Sequence, residues 1–544
     1  MKFTSKLILT LLTTSVALQP VNAHAMQTAI DFIKNHKYAA GAAALAGLGY
    51  YAANKAYTNS IRWDWKKINT ENLTNSIAPG CHKGVTPITT IFKRHAQRLA
   101  DAKDTPSTLS GDHHEWLWGA ATASYQIEGD CNNNQYEPNE NRVINGELVE
   151  KAGIACDGWN RYKEDIQLLK DMGVNSYRFS VEWSKIEPEA GVYDEAALNH
   201  YEDVCKELVA NGIKPVITLY HYAEPNWFAQ MDSFEKRENC KYFVNFCAKV
   251  YERLHPYTYL WLTFCSPETA AQGWLRGSRP PYKKDMGLMV QVLHNVLETH
   301  VDIYQKFKSL PNGNQSRIGI HKTVFQLDPW NIANPLDHLA CHMGDKLMNE
   351  SVYHFFKTGE FKVYVPFKVN YNKTNDYIKK GGKVLDYMGM SYYCHNYMSN
   401  FKTFREQNQD IEPHTAHPVY TVYGEGLYRA IKEMSERITK PLGIPIYVTE
   451  NGIGLTEEED QVEPDQGNKR TLQGKRYMYA LARAIQDGYD VRGYLHWSLM
   501  DNYEWGTFKK RFGLYHVDYD NDLKRTKKKG AEYYESIVKG SKIY

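Results

Sequence analysis

The 544-residue chain has no apolar stretch as long as the roughly 20 residues that a bilayer-crossing helix needs. Net charge is nearly absent: 65 Lys and Arg against 63 Asp and Glu leave +2, and the signs are interspersed. That balance excludes the basic face through which a protein binds nucleic acid. Nine cysteines form no Cys-x-x-Cys pair and no His/Cys spacing of the kind that ligates a metal, so neither a metal nor another cofactor is expected. An odd number cannot all pair internally. If the chain meets an oxidising compartment, Cys131 with Cys156 is the disulfide to expect first. Aromatic side chains, by contrast, are plentiful, with 40 Tyr and 12 Trp, enough to line a cleft.

Residues 1–25 read as a signal peptide. Lys2 and Lys6 precede the apolar Leu7 to Leu18, and Ala23-His24-Ala25 supplies a small-x-small cleavage site, so an exported, secreted or periplasmic, protein is expected. Residues 26–112 read as an N-terminal extension. Within it, 38–53 is uncharged, rich in Ala and Gly, and flanked by Lys37 and Lys55. That stretch suits either an Ala-rich helix or a weak membrane anchor. From about 54 to 112 the extension reads as irregular, with turn residues at Pro79-Gly80, Pro106-Ser107 and Ser110-Gly111-Asp112.

From Trp116 onward, short apolar runs alternate with amphipathic helical stretches, the pattern of successive βα units. Eight runs can be counted: Leu117 to Thr122, Ser176 to Val181, Pro215 to Tyr220, Tyr259 to Phe264, Arg317 to Val324, Tyr387 to Tyr393, Ile446 to Thr449 and Val491 to Trp497. Gly173 and Gly212 stop two of the intervening helices. Eight such units predict an α/β fold, a single (β/α)8 TIM barrel with long loops over 113–540, whose functional groups stand at the C-terminal ends of the strands. Those ends carry Gln126 and Glu128, Arg178, His221, Cys265 and Ser266, Tyr392 and Tyr393, Glu450, and Trp497. Glu450 stands out as one carboxylate at the lip of an apolar strand, before Asn451-Gly452.

Five segments in order resemble glycoside hydrolase family 1, the retaining β-glucosidases and β-galactosidases. They are Trp118 to Gly129 (WGAATASYQIEG), Tyr177 to Ser184 (YRFSVEWS), Thr218 to His221 (TLYH), Thr449 to Gly452 (TENG) and Trp497 to Trp505 (WSLMDNYEW). The resemblance spans roughly Trp116 to Val538. It implies Glu450 as the nucleophile that attacks the anomeric carbon, with Arg178 keeping it ionised and Tyr393, rather than Tyr392, donating a hydrogen bond to it. It also implies Gln126, His221, Glu504 and Trp505 as partners of the terminal sugar's hydroxyls, and Trp497 as the ring stacked under the sugar. A carboxylate at 504 would repel a phosphorylated sugar, so an unphosphorylated β-glucoside or β-galactoside is the expected partner.

The resemblance breaks after the fourth strand. Where the family has Thr-x-Asn-Glu-Pro, this chain reads Thr263-Phe264-Cys265-Ser266-Pro267-Glu268. Cys265 replaces the Asn that holds the 2-hydroxyl, and Ser266 replaces the acid/base Glu. A serine cannot supply a carboxylic proton, and general acid–base catalysis is typically worth about 10² to 10⁴-fold. Three readings follow: a β-glycosidase with non-standard acid/base chemistry, through Glu268, a bound anion or a leaving group that needs no proton; a transglycosylase; or a sugar- or protein-binding pseudoenzyme.

Overall fold

The computed structural model describes residues 61–74, 85–102, 115–144, 146–277 and 279–542. The leader at 1–25, the stretch 38–53, Cys81 and the turns at 79–80 and 106–112 lie outside the described residues.

Eight parallel strands close into a barrel: β1 Leu117–Ala121, β2 Ser176–Ser180, β3 Lys214–Tyr220, β4 Leu260–Cys265, β5 Ile318–Thr323, β6 Tyr387–Ser391, β7 Ile446–Asn451 and β8 Val491–Trp497. Each strand pairs with the next in sequence. β8 pairs back with β1, from Gly493 opposite Leu117 to Trp497 opposite Ala121. Nearly every strand residue is buried, as expected when one face meets the barrel interior and the other a layer of helices. Leu117, Val216, Leu260, Leu262, Tyr387, Tyr447 and Leu495 form one interior cluster.

One principal helix follows each strand: α1 Gly158–Met172, α2 Glu195–Ala210, α3 Cys240–Leu254, α4 Met286–Ser309, α5 Ser351–Thr358, α6 Gly424–Met434, α7 Lys469–Gln486 and α8 Glu532–Gly540. Local sequence sets their ends. Asp194 caps α2 by accepting from the amides of Ala196 and Ala197, and Gly173 ends α1 in the left-handed region at φ 80°. The fold is the TIM barrel that the alternation of runs predicts.

Boundaries differ where chemistry is concentrated. β7 extends through Glu450 to Asn451, so Glu450 belongs to the strand rather than to the turn after it. β6 stops at Ser391, two residues earlier than its apolar run suggests, and Tyr392 and Tyr393 then diverge. Gly452 is needed where it stands: a Cβ there would lie 1.8 Å from the carbonyl oxygen of Trp497, so β7 and β8 can leave the barrel side by side only over a glycine.

Two expectations are corrected. The segment before the barrel is not irregular throughout. Ile88–Asp101 is a 14-residue helix whose Ile88, Ile91, Phe92, His95, Ala96 and Leu99 form one buried stripe at helical spacing. Phe92 meets Trp118 edge-on at 4.9 Å, and His95 bonds the carbonyl of Val491 at 2.7 Å. Farther upstream, Arg62 ion-pairs with Glu406 and Glu412. The second correction concerns Cys131 and Cys156, which are both free. The Cys131 thiol is turned to the carbonyl of Gly129 at 3.4 Å and that of Cys156 to the carbonyl of Asp501 at 3.1 Å, so their sulfurs serve different neighbours.

Candidate active site

Glu450 leaves the end of β7 with its carboxylate facing the barrel mouth and 9% of its surface accessible. Arg178, fully buried on β2, donates to Oε2 at 2.6 Å. Its guanidinium is itself held by Thr218 Oγ1 at 3.0 Å and the Thr449 carbonyl at 3.3 Å. A charge-assisted contact of this length, between two side chains fixed on strands, holds the carboxylate in one orientation. Tyr393 donates to Oε1 at 2.6 Å. Tyr392, one residue earlier, faces the opposite way, and its buried hydroxyl has no hydrogen-bond partner among the described residues.

Cys265, the last residue of β4, places its thiol 3.9 Å from Glu450 Oε2 and 3.6 Å from the Tyr222 hydroxyl. Burial, partly opposed by Arg178, pushes that thiol up to about 12, so it is an uncharged S–H at neutral pH. Ser266 begins the turn at φ 42° and is completely buried. Its hydroxyl joins a chain to Thr323 at 2.6 Å and on to Ser391 at 2.8 Å, with no titrating group in it near neutral pH.

Glu268 does not enter the cleft beside Glu450. Its Oε1 accepts the Thr323 amide at 2.8 Å and lies 3.5 Å from Lys322, both side chains being fully buried. Successive strand residues point to opposite faces. His321, with Nε2 4.0 Å from Glu450, faces the barrel interior, so Lys322 and the carboxylate it holds stand on the outer, helix-facing side of β5. Glu128 and Glu224 are also buried. Glu128 accepts from Tyr201 at 2.7 Å and approaches Lys185 at 3.3 Å, while Glu224 accepts from Ser233 at 2.9 Å and Tyr220 at 3.2 Å.

A second group of side chains meets beside Glu450. Gln126, just after β1, donates to Asn502 Oδ1, the Tyr503 carbonyl and Glu504 Oε2 at 2.9 to 3.0 Å, across 378 residues of sequence to Glu504. Burial pushes Glu504 up to about 7, against Lys510 and Gln126. The His221 ring lies 5.6 Å from Trp497 and 5.9 Å from Trp505. Burial, then the positive charges of Arg178 and Arg279, hold His221 well below its ordinary value, so its ring is neutral. Gln126 Oε1, His221 Nδ1 and Arg178 Nη2 are buried without hydrogen-bond partners among the described residues. Buried polar atoms are rarely left so, and three at one cleft are free to bond a polar ligand. Trp497 supplies the apolar surface between them.

Of the residues that the sequence assigns to catalysis or sugar binding, Arg178 lies in the middle of β2, and Gln126, His221, Cys265, Ser266, Tyr393, Glu450, Trp497, Glu504 and Trp505 lie at the C-terminal ends of β1, β3, β4, β6, β7 and β8 or in the loops that follow. Sequence reasoning missed Thr218, Tyr222, His321, Tyr420 and Arg279. Thr218 and Tyr222 sit within or beside the Thr-Leu-Tyr-His segment. Tyr420, stacked on Tyr393 at 5.4 Å, and Arg279 come from long loops without periodicity. His221, Cys265 and Glu450 bring three donor atoms within 4.8 Å of one another, a set that metals use, but the Arg178 cation already occupies the carboxylate and opposes a second positive charge.

Residues 112–543 match the description Glycosyl hydrolase family 1. The chain is 28% identical to Beta-glucosidase A of Acetivibrio thermocellus over 448 residues, 78% of this chain and 98% of that one. It is 27% identical to the 6-phospho-beta-galactosidase of Staphylococcus haemolyticus over 79% of this chain and 98% of that one. Among solved structures it superposes on a beta-glycosidase from Pyrococcus horikoshii with TM-score 0.67 and 30% identity, covering 79% of this chain and 95% of that one. It also superposes on the Thermotoga maritima beta-glucosidase in complex with galacto-hydroximolactam, with TM-score 0.68 and 27% identity over 79% and 98%. Barrel and relatives agree: the chain belongs to glycosyl hydrolase family 1, a family of glycosidases.

Proposed function

We propose that this protein is a retaining β-glycosidase whose nucleophile is intact and whose acid/base residue is absent. The observation that carries the reading is the contrast at one cleft. Glu450 is held by Arg178 and Tyr393 at 2.6 Å each, while Ser266 offers only a hydroxyl tied to Thr323. In this reading Glu450 attacks the anomeric carbon and forms a glycosyl-enzyme with substrates whose leaving groups depart without a proton. Release by water is then slow, because water must lose a proton and neither Ser266 nor the protonated Cys265 accepts it.

The terminal sugar sits among Gln126, His221, Glu504, Trp505 and Trp497, with Cys265 beside its 2-hydroxyl. Relatives of this chain include both a beta-glucosidase and a 6-phospho-beta-galactosidase. Glu504 supports the unphosphorylated class, since its carboxylate, bonded to Gln126, would face a sugar phosphate at close range.

The test is incubation with 2,4-dinitrophenyl β-glucoside and β-galactoside, with and without azide. A burst of dinitrophenol, a mass increase of one hexosyl group on Glu450, and turnover accelerated by azide are expected. No burst and no adduct would overturn the enzymatic reading in favour of a sugar- or protein-binding role. Faster glycosylation by the 6-phosphorylated substrate would overturn the sugar assignment alone.

A further inference from the structure

The leaving-group side of the cleft carries a cation, Arg279, with no salt bridge closer than 4 Å among the described residues. Arg279 follows the short helix Gly273–Arg276 in the loop after β4, the strand that leads into Ser266. Its guanidinium carbon lies 5.2 Å from the centroid of the Tyr222 ring. The Tyr222 hydroxyl in turn meets the Cys265 thiol, which meets Glu450. Arg279 Nη1 is buried and has no hydrogen-bond partner among the described residues. Its charge reaches both walls of the cleft: after burial and Arg178 it depresses His221, and after burial, Lys510 and Arg405 it depresses His417.

The cleft also holds Glu504, whose carboxyl feels Lys510, Gln126, Glu450 and then Arg279 after its own burial, and Arg276, which Arg279 repels. Glu450 is matched by Arg178, and Cys265, His221 and His417 are uncharged at neutral pH. The walls are aromatic. Tyr393 stacks on Tyr420, which stacks on His417 at 3.8 Å, and across the cleft Tyr222 meets Trp505 at 5.2 Å. A guanidinium set over an aromatic ring, with one buried nitrogen left without a partner, is a site for an oxyanion, above all one attached to a flat ring.

We infer that Arg279 binds the oxyanion of both leaving group and acceptor, so that the enzyme exchanges a glycosyl group between carboxylate- or phosphate-type oxyanions in preference to alcohols or water. The inference rests on the retaining reading above and names its substrate class. Glu450 attacks C1, and the C1–O bond breaks with its electron pair leaving on the carboxylate or phosphate oxygen; no proton moves. In the second step an oxyanion lone pair attacks C1 and returns the bonding pair to Glu450, again without a proton. The absence of an acid at 266 therefore costs these substrates nothing, and overall configuration is retained.

The experiment loads the enzyme with 2,4-dinitrophenyl β-glucoside. It then follows breakdown of the glycosyl-enzyme against benzoate, acetate, inorganic phosphate or methanol at constant ionic strength, identifying products by mass spectrometry. Saturation with benzoate or phosphate, and a linear dependence on methanol, are expected; saturation with only one of the two anions assigns the oxyanion to that source. Arg279→Gln lowers the anion-to-methanol product ratio by about tenfold, the worth of one charge-assisted hydrogen bond, and Arg279→Lys lowers it less. An unchanged ratio in Arg279→Gln, or no saturation by any anion, overturns the inference while leaving the glycosyl-enzyme intact. If no glycosyl-enzyme forms, the retaining reading falls by itself. Calorimetric binding of benzoate and phosphate then decides the Arg279 site: loss in Arg279→Gln supports it, and equal binding overturns it.

Discussion

Placing a carboxyl at position 266 is the most direct perturbation of the proposed mechanism. Ser266 lies at φ 42°, a backbone strain that Ser and Glu bear alike, so Ser266→Glu changes the side chain without asking for a new turn. The variant loses the 2.6 Å bond to Thr323 and places a carboxyl in a fully buried position, at a cost of about 1–3 kcal/mol of stability. In return it supplies the proton that a poor leaving group needs. General acid–base catalysis of about 10² to 10⁴-fold corresponds to roughly 3–5 kcal/mol of barrier, more than the stability lost. The assay compares kcat/KM for 4-nitrophenyl and 2,4-dinitrophenyl β-glucosides in wild type, Ser266→Glu and Ser266→Gln, with Tm measured to confirm folding. Ser266→Glu is expected to gain at least about a hundredfold on the nitrophenyl substrate, to gain less on the dinitrophenyl one, and to lose its acceleration by azide. Ser266→Gln, of the same size without the proton, gains nothing. A folded Ser266→Glu no faster than Ser266→Gln, or equal gains on both substrates, would refute the argument that a missing proton donor limits this enzyme.

Other outcomes follow from the same geometry. Tyr393→Phe removes a 2.6 Å hydrogen bond to a carboxylate and should slow burst-phase glycosylation by about 10- to 100-fold; an unchanged burst rate would mean the phenol does not act on the nucleophile. Glu504 has its pKa raised by burial to about 7, so it is protonated below and charged above that pH. Binding of a neutral glucose-like inhibitor should therefore tighten as pH rises through about 7, and Glu504→Gln should flatten that profile. The same raised pKa makes Glu504's contribution to folding greatest at acid pH and lost as pH climbs through about 7, so Tm should fall over that interval less steeply in Glu504→Gln. Gly452→Ala brings a methyl group to 1.8 Å from the Trp497 carbonyl, so the ends of β7 and β8 must separate. The burst rate should drop together with Tm, and a variant of wild-type activity would show that the close approach is not required.

Part of this architecture was legible because local rules suffice for it. A strand buried on both faces must be apolar along its whole length, and the eight runs from Leu117 to Trp497 could be read off for that reason. The buried stripe of Ile88, Phe92, His95 and Leu99 obeys an equally local rule, and its helix was missed only because the turn residues around it drew more weight. The Cys131 and Cys156 pairing failed for a different reason, since the direction in which a thiol points depends on which carbonyls the fold brings beside it.

The sequence by itself determined the barrel, its eight strands, the carboxylate at the end of the seventh and the Cys265-Ser266 pair after the fourth, because each is a matter of residue type at a position along one strand. Only the tertiary structure decided which groups meet. Closure of the barrel brings Gln126 to Glu504 and Arg178 to Glu450 across 378 and 272 residues. The alternation of strand side chains turns Glu268 to the outer face with Lys322 and leaves His321 inside. A loop with no periodicity carries Arg279 over Tyr222, where its Nη1 has no hydrogen-bond partner among the described residues. Contacts of that kind depend on distances through space, and spacing along the chain does not encode them.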